Sequence, residues 1–169
     1  GSDVIEELMI SDESLRKSVL TGIFDIFPDS GGNLWIATFG NGIFCFLTDK
    51  KTIRHYTSET PGDLNTGDYC LRVKQDTGGR IWVLFAHNGF YYYDSESEKL
   101  RKVKVTEDMH GGFSFMDLFI DSRDNFYIYH NQGIVIYNTN SGTTREIHYA
   151  QPAGSVCSYQ LGSGQIISL

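Results

Sequence analysis

The stretch GGNLWIATFGNGIFCF, residues 31–46, contains two short apolar segments separated by a glycine-rich turn. Trp35 lies near the start of the first segment, and Gly42 opens the second. Asparagine and glycine between two apolar runs favour a tight hairpin turn. The stretch therefore predicts a β-hairpin.

The hairpin pattern recurs along the chain. Residues 29–46 align with residues 76–93, these align with residues 121–137, and a truncated copy follows at residues 162–169. The aromatic residues of the first strands recur at a spacing of roughly 45 residues, which is typical of repeat architectures. These aromatic residues are Trp35, Trp82 and Tyr127, and the glycines that open the second strands are Gly42, Gly89 and Gly133.

Each hairpin is flanked by two more strand-like segments. They give each full unit four short strands, which we letter A to D in chain order. Units of this length with four antiparallel strands are typical of propeller blades. The chain is therefore predicted to be all-β, a β-propeller segment of four-stranded antiparallel blades, with about three full blades and a partial blade at each end.

The predicted organisation is a single propeller segment over residues 1–169. Residues 1–2 resemble a tag scar, and residues 3–20 are assigned to an outer strand of a preceding blade plus a loop. Blades are assigned to residues 21–57, 68–105 and 113–150, and a partial blade is assigned to residues 155–169.

A second interpretation fits the N-terminal segment. Ser11 and Asp12 are typical N-cap residues, so the run through residues 11–20 also reads as a capped helix. The strand followed by a loop is the favoured alternative.

Charge and composition exclude several classes of function. The formal net charge is −7, from 14 Lys and Arg against 21 Asp and Glu, so the surface repels phosphate backbones and nucleic-acid binding is not expected. No apolar run reaches the roughly 18–20 residues of a membrane helix, so a membrane link is expected only through other parts of a longer protein. The three cysteines, Cys45, Cys70 and Cys157, match no zinc or redox spacing, and neither a cofactor nor a metal site is expected.

The repeat resembles the two-component regulator propeller repeat. Its best match is DSGGNLWIATFGNGIFCF together with the later run IRHYTSETPGDLNTGD. The copy DTGGRIWVLFAHNGFYYYD also matches, whereas DSRDNFYIYHNQGIVIYN lacks the glycine and the tryptophan. The resemblance spans about residues 20 to 169. It implies the periplasmic sensor region of an inner-membrane histidine kinase, often of the hybrid type, that senses carbohydrate breakdown products.

The predicted function is a non-catalytic sensor fragment with a carbohydrate-derived ligand. The chain contains no G-x-S-x-G, H-E-x-x-H, P-loop or C-x-x-C motif, and no arginine recurs at an inner-strand position as a sialidase would require. A protein-interaction scaffold without a small ligand remains an alternative. A propeller enzyme such as a lyase or a sialidase is a less favoured one.

The candidate binding residues lie in the B-to-C turns, which share one face of a propeller with the D-to-A loops. Aromatic rings stack on sugar rings, and amides and imidazoles hydrogen-bond to hydroxyl groups. Asn41 and Asn88 also suit a tight turn, and His87 and His130 are expected to be exposed. The predicted ligand-binding residues are Phe39, Asn41, His87, Asn88, His130 and Asn131.

Self-association is also expected. A propeller segment that ends in incomplete blades exposes unpaired strand edges, and such edges pair with other chains. The A and B strands at one end of a copy are predicted to be completed by strands of another copy.

Overall fold

The computed structural model describes residues 13–20, 22–56, 69–87, 89–106, 114–149, 158–160 and 166–168. Within these ranges the chain forms one helix, three four-stranded antiparallel sheets and one two-stranded sheet. Each four-stranded sheet is a meander whose strands pair in chain order. The predicted fold class, a propeller segment of four-stranded antiparallel blades, is confirmed. No helix in the described part of the chain is long and apolar enough to cross a membrane.

The strands follow one another in a regular order. The first blade contains β1 (Ile23–Pro28), β2 (Leu34–Thr38), β3 (Ile43–Leu47) and β4 (Thr52–Tyr56). The second contains β5 (Cys70–Gln75), β6 (Ile81–Phe85), β7 (Gly89–Asp94) and β8 (Lys99–Val103). The third contains β9 (Phe115–Ile120), β10 (Asn125–His130), β11 (Gly133–Asn138) and β12 (Thr144–His148). The strands β13 (Ser158–Gln160) and β14 (Ile166–Ser168) pair with each other.

The N-terminal segment differs from the favoured prediction. Residues 13–20 form the helix α1 (Glu13–Leu20), so the predicted loop is wrong there, and the predicted strand at residues 3–10 lies outside the described residues. Glu13 and Lys17 form an ion pair of 3.3 Å one helical turn apart, which favours the helix modestly. Val19, only 2% exposed, packs with Ile36 and Phe44 of the first blade. Burial of this apolar side chain gives the helix tertiary support that a loop would lack.

The blades pack face to face. We call the face of a blade that contacts the next blade in chain order its forward face, and the opposite face its back face. The forward face of the first blade buries Trp35 and Cys45 against Val73, Val83 and other apolar side chains on the back face of the second blade. The forward face of the second blade packs on the third in the same way. The core is therefore a series of apolar seams between blades.

Two of the cysteines lie in or beside the first seam. Cys45 and Cys70 are buried free thiols, and Cys157 lies outside the described residues. Burial raises the pKa of Cys45 to about 12, so the thiol stays protonated and unreactive at neutral pH.

The A-to-B turns share one hydrogen-bonded arrangement. In the first turn, Asp29 Oδ1 accepts from the Asn33 amide at 2.8 Å, and Asp29 Oδ2 accepts from Trp35 Nε1 at 2.9 Å. The second turn repeats this arrangement, because Asp76 Oδ2 accepts from Trp82 Nε1 at 2.8 Å. Burial raises the pKa of Asp29, but the hydrogen bonds outweigh this effect and hold that pKa below its usual value. The carboxylate thus closes the turn and satisfies a buried indole N–H.

The inner strands carry a recurrent irregularity. β1 contacts β5 and β5 contacts β9, so the A strands lie together at the inner edge of the blades. In the three complete blades, each A strand contains one extra residue relative to its B strand, and these bulged residues are Phe24, Leu71 and Met116. In the first two blades, the residue after the bulge, Asp25 or Arg72, contacts the A strand of the next blade. Asp25 Oδ2 accepts from the Val73 amide at 3.0 Å, and Arg72 Nε lies 2.7 Å from Asp117 Oδ1. Polar links therefore reinforce the inner edges of the seams.

Replacing Asp29 with alanine should destabilise the chain by about 1–3 kcal/mol, because the Trp35 indole N–H and the Asn33 amide lose a charged acceptor. Urea unfolding followed by tryptophan fluorescence measures the loss. Asp49→Ala is the matched control, since Asp49 is exposed in a C-to-D turn and should change stability by no more than about 0.5 kcal/mol. Equal effects of the two substitutions would contradict the role assigned to Asp29.

Candidate functional site

The candidate site lies on the rim formed by the B-to-C turns and the starts of the A strands. Phe39 follows β2 and forms a β-bridge with Tyr69, which precedes β5 in the next blade. The Ala86 amide donates to the Tyr69 carbonyl at 2.9 Å, and the Phe115 amide donates to the Ala86 carbonyl at 2.8 Å. Main-chain hydrogen bonds thus connect adjacent blades along this rim and fix the positions of its side chains.

Four ring side chains line the rim where the first two blades meet. Phe24 and Phe39 lie 5.3 Å apart between ring centroids, Phe39 and Tyr69 lie 4.4 Å apart, and Tyr69 and His87 lie 5.9 Å apart. We call these four residues the aromatic row. Phe24 is 45% exposed, Phe39 is 52% exposed, and His87 is also exposed. The row therefore offers apolar ring surface and an imidazole to solvent.

The structure brings together two of the predicted binding residues, Phe39 and His87, through Tyr69. Asn41 is half-buried, and its carbonyl oxygen accepts a hydrogen bond of 2.7 Å from His55 Nε2. This contact ties the turn to β4. Asn88 lies outside the described residues.

The other two predicted residues belong to the third blade. His130 was expected to be exposed in a turn, but it is the last residue of β10 and only 2% exposed, so this expectation is wrong. Its Nδ1 accepts from the Gln132 amide at 3.3 Å, which uses the ring within the hairpin. Asn131 Oδ1 accepts from the Ser114 amide at 3.3 Å and so ties the hairpin to the start of β9.

Sequence reasoning missed Phe24 and Tyr69. Both lie at the start of an A strand, and these starts lie beside the B-to-C turns in every complete blade of the described chain. The sequence did contain a signal for Phe24. In the run IFDIF of β1, apolar residues occupy adjacent positions and do not alternate with polar ones. Such a run indicates either a buried strand or a bulge.

A cleft lies at the opposite end of the strands from the aromatic row. It is a cleft of about 720 Å³ between the A-to-B turns of the first two blades and the C-to-D turn of the second, with Asp29, Arg80 and Asp94 in its lining. Gln75 crosses the seam, where its Oε1 accepts from the Ser30 amide at 2.9 Å. Arg80 lies over the Tyr92 ring at 5.1 Å. Among the described residues, no cluster of three or more His, Cys, Asp or Glu side chains could hold a metal ion.

The burial of His130 has an electrostatic consequence. Desolvation lowers the pKa of the imidazole below its ordinary value of about 6.5, so the folded chain favours the neutral ring. A protonated ring would lose the ability of Nδ1 to accept from Gln132. His130 is therefore better suited to holding the hairpin than to binding a charged ligand.

The free energy of unfolding should fall as the pH is lowered through about 6.5, because the unfolded chain takes up a proton at His130 that the folded chain disfavours. The fall should level off below the folded pKa. Urea unfolding between pH 8 and pH 5 measures it, and His130→Gln should reduce the slope. A slope that His130→Gln leaves unchanged would contradict this assignment.

The meandering sheets, their packed faces and their contiguous inner strands define a β-propeller segment. Residues 20–40 match the family described as two component regulator propeller, which confirms the predicted resemblance over β1 and β2. No curated protein sequence matches the chain.

Solved structures with similar folds include two extracellular domains of putative hybrid two component systems from B. thetaiotaomicron. One is 20% identical with a TM-score of 0.64, and the match covers 80% of this chain and 19% of that one. The other is 18% identical with a TM-score of 0.66, and the match covers 85% and 20%. PorZ, a surface component of the type-IX secretion system of Porphyromonas gingivalis, is 20% identical with a TM-score of 0.56, covering 92% and 23%. This chain thus spans about a fifth of the lengths of these structures.

Proposed function

We propose that this chain is a non-catalytic segment of the extracytoplasmic sensor region of a two-component histidine kinase, and that it contributes to binding a carbohydrate-derived ligand. Two findings support the sensor assignment. Residues 20–40 match the two component regulator propeller family, and the similar structures include extracellular domains of putative hybrid two component systems. The inner membrane is the proposed site of attachment, through parts of the protein outside this chain.

The aromatic row is the observation that carries the ligand proposal. Phe24 and Phe39 lie next to each other, and each exposes about half of its surface to solvent. Clustered exposed apolar residues beside polar ones are typical of binding surfaces. The flat faces of a sugar ring stack on such rings, and the His87 imidazole can exchange hydrogen bonds with hydroxyl groups.

The proposed mechanism is a shift between arrangements of the blades. Tyr69 belongs to the second blade and Phe39 to the first, so a ligand held by both contacts two blades at once. A ligand that prefers one relative position of these blades stabilises that position. The remaining blades and the membrane anchor of the longer protein would carry this shift to the kinase.

A protein-interaction scaffold is the second candidate function. The same exposed phenylalanines favour it, because a partner side chain could pack against them as well as a sugar could. A propeller enzyme receives less support. The polar side chains of the aromatic row belong to a tyrosine and a histidine, whereas glycoside hydrolysis requires a pair of carboxylates.

A neutral or acidic oligosaccharide that binds the aromatic row should raise the melting temperature of the chain. At a ligand concentration one hundred times the dissociation constant, the stabilisation is about 2.7 kcal/mol, which corresponds to several degrees for a domain of this size. A thermal-shift screen of a panel of such sugars measures it. Phe39→Ala and His87→Ala should each abolish the shift produced by a binding sugar.

Ile147→Ala is the matched control for this screen. Ile147 is an exposed apolar residue on the outer strand of the third blade, so its truncation should leave the sugar-induced shift intact. A shift that survives both aromatic-row variants would place the site elsewhere. The absence of a shift with every sugar, followed by retention of a folded protein partner on the wild-type chain but not on Phe39→Ala, would support the scaffold instead.

A further inference from the structure

The rings of the aromatic row do not form a flat platform. The interplanar angle between Phe39 and Tyr69 is 68°, and the angle between Tyr69 and His87 is 79°. The faces of neighbouring rings therefore meet at corners. Ring faces that are inclined to one another can contact a compact cation from two sides, as aromatic residues do in sites that bind quaternary ammonium groups. One exposed face can still stack on a sugar ring.

The chain segment that leads into the row is acidic. Residues 57–68 run from the end of β4 to Tyr69, and they contain Glu59, Asp63 and Asp68 but no lysine or arginine. The segment lies outside the described residues, yet both of its ends are attached at the end of the blades where the row lies. Negative charge held there attracts cations and repels anions over about 10 Å at 0.1 M salt.

The basic residues of the adjoining inner strands are already paired. β1 and β5 together contain two such residues, Arg72 and Lys74. Arg72 Nε lies 2.7 Å from Asp117 Oδ1, and Lys74 Nζ lies 3.9 Å from Asp25 Oδ2. The B-to-C turns of the first two blades contain no lysine and no arginine. These strands and turns therefore offer no unpaired lysine or arginine to a carboxylate or sulfate group.

We propose that the aromatic row selects a ligand that carries a positively charged amino group, and that among sugars it prefers an amino sugar to a neutral or an acidic one. The sugar part of this inference rests on the proposed function, whereas the preference for a cation rests on the rings and the charges around them. The ammonium group would lie against the inclined faces of Phe39 and Tyr69, where the π electrons attract positive charge. An unprotonated nitrogen of the His87 imidazole can accept a hydrogen bond from the same group.

Matched sugars test the preference for an amino group. Short oligomers of glucosamine and of glucuronic acid each differ from the glucose oligomer of the same linkage at one position of each ring. The dissociation constants are measured by NMR titration of the isotope-labelled chain. The glucosamine oligomer should bind about two- to fivefold more tightly than the glucose oligomer, and this advantage should shrink as salt is added. The glucuronic acid oligomer should bind most weakly. Equal constants for the amino and the neutral sugar would overturn the inference and leave the proposed function intact.

A second pair of probes tests the cation without a sugar. Choline and 3,3-dimethylbutan-1-ol have the same shape, but choline carries a positively charged nitrogen where the alcohol has a carbon atom. Choline should have the lower dissociation constant and should shift the resonances of Phe39 and His87. Binding of choline combined with no binding of any sugar would refute the carbohydrate ligand and support the preference for a cation. Failure of both choline and the amino sugar to bind would overturn the inference.

Phe39→Leu separates the attraction to a cation from apolar contact. Leucine keeps apolar surface at this position but has no π electrons, so the preference for choline over its neutral isostere should fall towards one. Phe119→Leu is the matched control, because it makes the same change in β9 of the third blade and should leave the preference unchanged. Circular dichroism verifies that both variants stay folded. A preference that Phe39→Leu leaves unchanged would overturn the assignment of the cation to this ring.

Asp68→Asn tests the acidic segment. Removal of the charge next to Tyr69 should raise the dissociation constant of choline about two- to threefold and leave that of the neutral isostere unchanged. Glu96→Gln is the matched control, because it removes one negative charge from an exposed residue in a C-to-D turn, at the opposite end of the strands. Equal effects of the two variants on choline would overturn the charge complementarity on which the inference rests.

Discussion

The blades depend on one recurrent constraint, the need to bury a large aromatic ring without leaving its polar hydrogen unsatisfied. Trp35 and Trp82 are 2% and 1% exposed and fill the centres of the two internal seams. Each indole N–H donates to an aspartate at the start of the preceding turn. The same carboxylate accepts from the turn backbone, so one side chain determines the turn, the strand register and the orientation of the ring.

The third blade shows how far this arrangement tolerates change. Tyr127 replaces tryptophan, and its hydroxyl group lies 3.4 Å from Asp121 Oδ2, a longer contact than in the other two blades. Asp121 Oδ1 still accepts from the Asn125 amide at 3.0 Å. Closure of the turn therefore persists when the aromatic residue changes, which explains why the third copy retains the aspartate although it lacks the tryptophan and the glycine.

Because the blades pack face to face, the second blade buries apolar side chains on both of its faces. The two seams between the three complete blades bury most of this surface, whereas Ile26 in the first blade and Ile147 in the third stay partly exposed. The helix α1 covers other apolar residues of the first blade through Val19. The aromatic row lies on the rim where the first two blades meet, and its residue Tyr69 also packs against the second seam, so the proposed ligand would contact residues that join the blades.

Most of the fold was predictable because it depends on local patterns. The spacing of Trp35 and Trp82, the aspartates that begin the turns and the glycines that open the C strands are all readable in order along the chain. The candidate site was less predictable. Phe39 and His87 were found from their turns, but Phe24 and Tyr69 join them only because A strands of adjacent blades meet at the rim. His130 looked like a turn residue, yet β10 extends by one residue and buries it.

The sequence by itself determined the repeat and the four-strand unit, because these depend on residues fewer than fifty positions apart in a regular period. The tertiary structure alone decided which rings meet across a seam and which apolar positions stay exposed. These outcomes depend on contacts between different blades. Such contacts bury side chains according to their place in the assembled array, and no local pattern contains that information.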